Sequence, residues 1–498
     1  MYELYKPLRN YLRGFNLWSG LATTYCYMQY LQFNKPLPEQ LSTLKTRLGA
    51  SKIDTGIFEF IVETLTRELI LNGQQSGGKP FNTAPIAFKA FGMIHKLEDA
   101  KWSDVPPQSD DILLQLSRIA FRQVPWQTPI TNRTIARYYM LYSHPLVAPM
   151  VEAEFGMSAV EFFQIVLLLV EETMQHPTPS FAFLEAAEQS IRVPVDALSD
   201  RLSRSASVLR ELTLERQSYD VNWAYSFNPL REYPLVHAGN LRKTMCPAPP
   251  ILVQRLTDGL YFDLIRSNSG FGNAIGGAFE DYVGQVARSI GEDHFEFTRE
   301  ASWGKPEKRS VDWKVSDKGG CLFVECKLAR LDIASQTEIS PEPAFKTAIQ
   351  RLATNVGQLY ATLTDGLSGQ YPHWQPDNRP IHPVVVTFHN WFVFGPFFYK
   401  NLDQFITDEF KKRGLDSTLL IKHPFTICAI DEFEGLLTAC REHGIDKVLS
   451  EKNAPDRRQG LMQGFLAERY AGSLTRAKRT FEDGTDPVIW GASRLTRR

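Results

Sequence analysis

The sequence lacks a hydrophobic segment long enough to cross a membrane. Its longest apolar run covers residues 162–170 and is interrupted by Gln164, whereas a spanning helix needs about 20 apolar residues in succession. The first residues, Met-Tyr-Glu-Leu-Tyr-Lys, also lack the basic stretch and following apolar core of a secretory signal. We therefore expect a protein that makes no membrane contact and is located in the cytoplasm.

Cysteine is scarce, at six residues in the whole chain. The six are spread over positions 26, 246, 321, 326, 428 and 440, which is not the dense pattern of a disulfide-stabilised protein. Cys321 and Cys326 are close in sequence, but no second pair of cysteines or histidines completes a zinc site. The sequence therefore favours reduced thiols and argues against structural zinc.

Nucleotide-binding motifs are missing as well. There is no P-loop sequence, so ATP-driven movement within this chain is not supported. The glycines of residues 270–277 suggest a dinucleotide loop, but no strand precedes them and their spacing differs from that motif. We expect these glycines to form a flexible lead into a helix.

What the chain does contain is enough apolar material for more than one core. It has 498 residues, of which 43% are hydrophobic and 22% are charged, as in ordinary globular proteins of roughly two to four domains. The net charge of −1 excludes little, because a neutral protein can still hold a basic groove.

Four segments differ in character along the chain. Residues 1–217 show mostly helical spacing of apolar residues. Residues 218–254 are rich in proline, which favours short strands and turns over long helices. Residues 255–450 alternate helices with strands, and residues 451–498 hold ten Lys or Arg against six Asp or Glu. We therefore predict an α+β protein with a mostly helical first half, a connector, an α/β domain and a basic C-terminal extension.

The α/β segment begins with an amphipathic helix, because apolar residues recur on one face of residues 279–290. Strands are predicted at residues 294–299, 310–315 and 321–327, a second amphipathic helix at residues 345–363, and another strand from Val384.

Two of these strands form a predicted hairpin that carries charged residues. In the first strand Asp312 alternates with Val311 and Trp313, so its side chain faces away from the apolar side. Asp-Lys-Gly-Gly then predicts a tight turn. In the second strand Glu325 and Lys327 are two residues apart and share a face, and the hairpin brings Glu325 near Asp312.

These residue types suit phosphodiester hydrolysis. Two carboxylates on neighbouring strands can hold Mg²⁺, which prefers oxygen ligands and retains several waters. Such an ion polarises a phosphate and helps to make hydroxide from bound water. A lysine two residues beyond the second acid can orient that water or stabilise the charge that develops on the phosphate.

The order of these residues resembles the PD-(D/E)xK nuclease superfamily, the fold of many restriction endonucleases. The resemblance covers roughly residues 255–395. Asp312 matches the first acid of the family, and Glu325 and Lys327 match its Glu-x-Lys pair. Val311 stands where the family name has proline, but that proline is often absent.

The resemblance implies a restriction-endonuclease-like α/β domain with a mixed central sheet. It implies Mg²⁺ as the cofactor, with Mn²⁺ as a substitute, held by Asp312, Glu325 and the backbone carbonyl of Cys326. Glu280, on the preceding helix, fits a further acid of the family. The adjacent Asp281 is the alternative, and Glu280 is favoured because it borders the apolar stripe of the helix.

Three more residues are candidate nucleic-acid contacts. Lys314 lies on the same strand face as Asp312, and Lys346 and Gln350 are four apart on the second amphipathic helix. Ordinary exposed helical polarity explains the last two as well. A second Glu-x-Lys, at residues 409–411, lies in a polar helix-like segment without an acid-bearing strand before it, as expected of a chance match.

The expected function is therefore a metal-dependent nuclease, with DNA as the favoured polymer and an endonuclease as the favoured type. The helical first half would recognise substrate, respond to a protein activator or hold the chain as a homo-oligomer. Many bacterial defence proteins join such a nuclease to such a part, which makes anti-phage defence an expected setting by resemblance alone. Two alternatives stay open: an RNase, and a catalytically silent scaffold that binds nucleic acid or protein.

Overall fold

A computed structural model describes residues 1–103, 132–179, 197–220, 222–239, 244–305, 307–328, 342–372, 374–391 and 394–476, together with residues 119, 122, 123 and 126. The protein is α+β, with a helical first half and a mixed sheet in the second, which confirms the prediction at this level. Apart from residue 119, the described chain divides into two compact units, the first reaching Phe271 and the second beginning at Gly272.

The first unit is mostly helical. Its helices are α1 (Tyr2–Leu12), α2 (Leu17–Phe33), α3 (Leu44–Arg47), α4 (Lys52–Thr55), α5 (Glu59–Asn72), α6 (Ala84–Ser103), α7 (Asn132–Tyr142), α8 (Ala148–Phe155), α9 (Ala159–Gln175), α10 (Ala206–Arg216), α11 (Pro249–Leu256) and α12 (Leu260–Ser267), with short 3-10 turns at Glu39–Leu41, Trp223–Tyr225 and Pro229–Arg231.

A small sheet interrupts the helices of this unit. Strand β1 (Ser203–Ser205) pairs in parallel with β2 (Leu235–His237), which pairs antiparallel with β3 (Thr244–Met245). The apolar spacing around residues 198–212 predicts continuous helix, but β1 breaks it immediately before α10. The reason is tertiary, because β2 supplies a pairing edge from a segment more distant in sequence.

Helix α5 carries ionisable groups into the interior of the first unit. The buried Glu68 carboxylate accepts hydrogen bonds from Tyr5 Oη at 2.7 Å and Arg67 Nη2 at 2.9 Å. Arg67 also donates to the carbonyl of Ser226 and lies over the Trp223 ring. A buried ion pair needs such partners, so the segment predicted as a connector is held in the core of the first unit.

The boundary between the units therefore differs from the sequence prediction. The prediction starts the α/β domain at residue 255, after a connector at residues 218–254, whereas the second unit begins at Gly272. Leu230, Val236 and Ile251 are buried in the same core as α1, α2 and α5. Proline-rich sequence indicated short elements correctly, but it does not reveal which core those elements join.

The second unit contains eight helices and seven strands among its described residues. The helices are α13 (Phe271–Gly291), α14 (Glu342–Leu367), α15 (Gly395–Arg413), α16 (Leu419–Lys422), α17 (Ile430–His443), α18 (Ile445–Lys452), α19 (Met462–Arg469) and α20 (Ala471–Arg476). The strands are β4 (Glu296–Arg299), β5 (Ser302–Trp303), β6 (Lys308–Arg309), β7 (Trp313–Ser316), β8 (Cys321–Lys327), β9 (Ile381–Thr387) and β10 (Thr426–Ala429).

Five of these strands form a mixed sheet in the order β10-β9-β8-β7-β4. The pairs β4–β7 and β7–β8 are antiparallel, whereas β8–β9 and β9–β10 are parallel. Strands β8 and β9 are buried along nearly their whole length, which explains their continuous apolar sequence. Helices α14 and α15 share a core with Phe323 and Val385.

Strand β9 begins earlier than the sequence predicts. Proline indicated a loop up to residue 383, but Pro383 lies inside β9, opposite Phe323 of β8. The pairing with β10 starts only at Val384. Pro383 is therefore beyond the end of β10, where a missing backbone N–H breaks no ladder on that side.

The turn between β7 and β8 is fixed by Asp317. Its Oδ1 accepts hydrogen bonds from the amides of Gly319 and Gly320, each at 2.7 Å, and its Oδ2 accepts one from the amide of Ile445 at 2.8 Å. The turn is thus closed internally and tied to the start of α18. The predicted hairpin is confirmed, and β7 pairs with β8 in a regular register from Trp313 opposite Val324 to Ser316 opposite Cys321.

Among the described residues, no single helix is long and apolar enough to cross a membrane. Helices α8 and α9 are long and apolar enough only when they are taken together, and they are bent by 63° relative to each other.

Candidate active site

The candidate site begins at an irregularity in the β4–β7 pairing. The regular register places Arg299 opposite Trp313, and the amide of Glu300 donates to the carbonyl of Asp312 at 2.9 Å. Beyond this point Ser310 pairs with Ala301 through a 2.9 Å backbone hydrogen bond. One extra residue, Val311, is thereby accommodated on the β7 side, which is a β-bulge.

The bulge breaks the predicted alternation of apolar side chains. Val311 is buried in the core that contains Phe323, whereas the Trp313 indole packs on α13 and donates from Nε1 to the carbonyl of Glu280 at 2.8 Å. Where the ladder is interrupted, Ser310 Oγ accepts from the amide of Ala301 at 2.9 Å. Val311 and Trp313 were predicted to lie on the same face of the strand. This prediction is wrong, because the extra residue of the bulge interrupts the alternation of side chains between the two faces.

Asp312 lies opposite Glu325 at the end of the β7–β8 ladder. The last pair in the regular register is Trp313 with Val324, so the next pair is Asp312 with Glu325. Asp312 Oδ2 accepts a hydrogen bond from the amide of Cys326 at 2.6 Å. The carboxylate therefore takes the place of a backbone acceptor immediately before β7 begins.

Glu325 and Lys327 are bonded to each other. Lys327 Nζ lies 2.7 Å from Glu325 Oε1. The Glu325 residue is 3% exposed and Asp312 is 8% exposed, whereas 26% of the Lys327 side chain is exposed. Of the two buried carboxylates, Glu325 is thus paired with an ammonium group that reaches toward solvent, and Asp312 is bonded to the Cys326 amide.

Glu280 belongs to the same cluster, and Asp281 has another partner. Asp281 lies 2.6 Å from the guanidinium of Arg299. Burial raises the pKa of Glu280, and the negative charges of Glu300 and Glu325 raise it further. Of the two alternatives on α13, the structure brings Glu280 to the other acids.

Glu300 is a fourth acid that the sequence analysis missed. Its charge raises the pKa of both Glu280 and Glu325, in each case after burial as the larger cause. It directly follows β4 and is bonded through its amide to Asp312. Glu300 directly follows the strand that was predicted at residues 294–299, but the sequence analysis did not predict which strand that segment pairs with.

The carboxyl groups of the site repel one another, which is seen in their pKa values. Burial and then the charges of Glu325 and Glu280 raise the pKa of Asp312, and with the opposing hydrogen bond from the Cys326 amide the net value is about 8. Burial is the largest single effect on the pKa of Lys327 and lowers it, but the charge of Glu325, its hydrogen bond and the charge of Asp312 together outweigh burial, so the net shift is upward. The cluster therefore holds more negative charge than Lys327 neutralises, and a cation would relieve it.

The donor set suits a hard cation with few protein ligands. Among the described residues, no three His, Cys, Asp or Glu side chains are grouped closely enough to enclose a metal. Mg²⁺ is commonly bound through one or two carboxylates, with waters and substrate phosphate completing its shell. The oxygens of Asp312 and Glu325 fit that ion, whereas they do not fit zinc, which prefers a closed nitrogen and sulfur set.

Lys314 and Gln350 are the other predicted contacts with described side chains, and neither is bonded to these acids. Lys314 is buried, its ammonium lies 5.6 Å from the centre of the Trp374 ring, and burial lowers its pKa. Gln350 is exposed on α14, and the side chain of Lys346 is outside the described residues. In the second Glu-x-Lys sequence, Glu409 is bonded to Arg413 four residues later on α15, as expected of an ion pair within one helix.

Comparison with known proteins adds no relative. No protein-family model matches the chain, and no characterised protein or solved structure is significantly similar to it.

A glycine on α13 makes the position of Glu280 testable. A Cβ at Gly284 would lie 2.1 Å from Trp313 Cζ2, whereas a Cβ at Gly276 of the same helix would meet nothing within 4 Å. We predict that Gly284→Ala lowers the free energy of unfolding by about 1–3 kcal/mol, because the indole or the helix must shift. Gly276→Ala should be neutral or stabilising by up to about 1 kcal/mol. Urea unfolding measures both, and equal effects would contradict the close packing.

The charge excess predicts an unusual effect of Asp312→Asn on stability. The pKa of Asp312 rises from 3.8 to about 8 on folding, so ionising it opposes folding increasingly between pH 4 and pH 8. In chelator, the variant should melt several degrees above the wild type at pH 8 and close to it at pH 4. Asp416→Asn is the control, because hydrogen bonds from Thr418 lower the pKa of Asp416 and its removal should give no gain. A less stable Asp312→Asn protein at pH 8 would refute the account.

Proposed function

We propose that the second unit is a Mg²⁺-dependent nuclease with the restriction-endonuclease-like fold of the PD-(D/E)xK superfamily. The observation that carries the proposal is the placement of Asp312 opposite Glu325 across β7 and β8, with Lys327 bonded to Glu325. The mixed sheet and the helix that brings Glu280 to the acids support it. These features are what the resemblance implies for such a domain.

Asp312 and Glu325 would hold the metal, with the backbone carbonyl of Cys326 and the carboxylate of Glu280 as further candidate ligands. Asp312 is fixed by the Cys326 amide, so its second carboxylate oxygen can bind without a change of side-chain position. When bound, Mg²⁺ would polarise the phosphate and lower the pKa of a bound water. Mn²⁺ has similar ligand preferences and is expected to substitute.

Lys327 has a distinct part in the proposed reaction. Its ammonium now neutralises Glu325 Oε1. When Glu325 gives this oxygen to a cation, Lys327 loses that partner and is free to donate to a phosphate oxygen or to the attacking water. An ammonium group released in this way can stabilise negative charge in the transition state.

DNA is the proposed polymer and RNA is the alternative, because the same carboxylate chemistry cuts both. Recognition of substrate, response to a partner and oligomerisation remain predictions for the first unit. A defence role rests on the resemblance alone.

Cleavage assays test this function directly. We predict that the wild-type protein cuts plasmid or linear DNA with Mg²⁺ or Mn²⁺, that EDTA abolishes cutting, and that Asp312→Asn and Lys327→Met each lower the rate by about 10² or more. Lys411→Met is the matched control, because Lys411 belongs to the Glu-x-Lys sequence on α15 and its side chain is 76% exposed. Single-stranded DNA and RNA of the same sequence identify the preferred polymer.

Two results would contradict the proposal. One is metal-dependent cutting that survives in both Asp312→Asn and Lys327→Met. The other is the absence of cutting of every polymer by a wild-type protein that is folded and that binds Mn²⁺, which would favour the silent scaffold.

A further inference from the structure

The ladder that carries Asp312 continues past the bulge into a small hairpin. Beyond Ser310, β5 and β6 pair antiparallel, with Ser302 opposite Arg309 and Trp303 opposite Lys308. Cross-strand partners share a face, so the hairpin has one face with Trp303 and Lys308 and another with Ser302 and Arg309. The hairpin is thus an extension of the strands that form the acid cluster.

One face of this hairpin is attached to the end of α14. The Trp303 ring lies 5.1 Å from the ring of Tyr371. Lys308 Nζ donates to both carboxylate oxygens of Asp365 at 2.9 Å, and lies 3.4 Å from the side-chain oxygen of Gln370. These contacts give the hairpin a fixed position beside the site.

The other face presents positive charge to solvent. Arg309 is 67% exposed and lies 3.8 Å from Glu300, one of the four clustered acids. Lys305, at the tip of the hairpin, is also exposed. An ion pair of that length between partly exposed groups is weak, so Arg309 can exchange it for another anion at little cost.

We propose that the β5–β6 hairpin binds the phosphate backbone of the nucleic acid, with Arg309 and Lys305 on phosphates next to the one that is cut. This inference rests on the proposed nuclease function. Arg309 is three residues before Asp312, a reach of at most about 10 Å, and each DNA strand carries a phosphate about every 3.4 Å along the axis. A guanidinium at that distance from Asp312 can therefore contact a phosphate that is a few nucleotides from the one that is cut.

Electrostatics gives an independent reason for such a contact. The ionised carboxyl groups of the site repel a polyanion until a cation is bound, because Lys327 is already paired with Glu325 and Arg299 with Asp281. Exposed charges on Arg309 and Lys305 offset that repulsion at the rim of the site. Guanidinium also matches the two oxygens of a phosphate with paired hydrogen bonds.

Binding measured without catalysis tests the hairpin. Fluorescence anisotropy in EDTA would follow a labelled duplex DNA, the matching single strand and the matching RNA, each at several salt concentrations. The test variant is Lys305→Glu/Arg309→Glu. The control is Lys318→Glu/Lys411→Glu, which makes the same change of charge in the β7–β8 turn and on α15, at two exposed lysines of the same unit.

We expect the hairpin variant to bind the preferred polymer at least tenfold more weakly, and the control within twofold of wild type. Loss of two phosphate contacts should also reduce the slope of log K against log salt by about 2 for duplex DNA. Both variants should melt as the wild type does, because the changed side chains are exposed.

Three outcomes would overturn the inference. If the hairpin variant binds as the control does while the wild type binds and cuts, the hairpin assignment fails and the nuclease function stands. If the hairpin variant cuts poorly but binds normally, Arg309 acts through Glu300 and does not hold the backbone. If the folded wild type binds no nucleic acid, both proposals fail.

Discussion

The hydrogen bond from the Cys326 amide to Asp312 is the contact on which the candidate site depends. It forms immediately before β7 begins, so the carboxylate completes the β7–β8 ladder and is held in one position by the sheet. The β-bulge at Val311 allows this by turning Asp312 into the pairing while Val311 enters the core. Because the register then sets Glu325 opposite Asp312, one main-chain arrangement places both central acids.

The same arrangement places several acids close together in a buried position, where ionising them is unfavourable. Asp312 and Glu325 are buried beside Glu280 and Glu300, and burial together with their mutual repulsion raises the pKa values of the first three. Helix α13 is held against this repulsion by the packing of Trp313 at Gly284 and by its bond to Glu280. A protein that keeps buried acids together at the expense of stability is expected to use them for binding or chemistry.

The sequence predicted local features well and tertiary features poorly. Strand β8 was predicted with its observed bounds, Cys321–Lys327, because its apolar run is bounded by a glycine turn. The bulge at Val311 was not predictable, since alternation assumes an uninterrupted ladder. Glu300 was missed because it lies one residue beyond the predicted strand and its partner strand was not predicted. Lys314 was a candidate nucleic-acid contact on the strand face of Asp312, but it is buried and its ammonium group lies 5.6 Å from the centre of the Trp374 ring. A local sequence pattern does not predict a partner that is distant in sequence.

Direct measurement of metal binding tests the central claim without depending on any substrate. Electron paramagnetic resonance of free Mn²⁺ would count the ions bound by the wild type, by Asp312→Asn/Glu325→Gln and by Asp408→Asn, which changes an exposed acid on α15. The account predicts that the wild type and Asp408→Asn bind Mn²⁺ and that Mg²⁺ displaces it, while the double variant leaves the ion free. Equal binding by the double variant and the wild type, or no binding by the wild type, would contradict it.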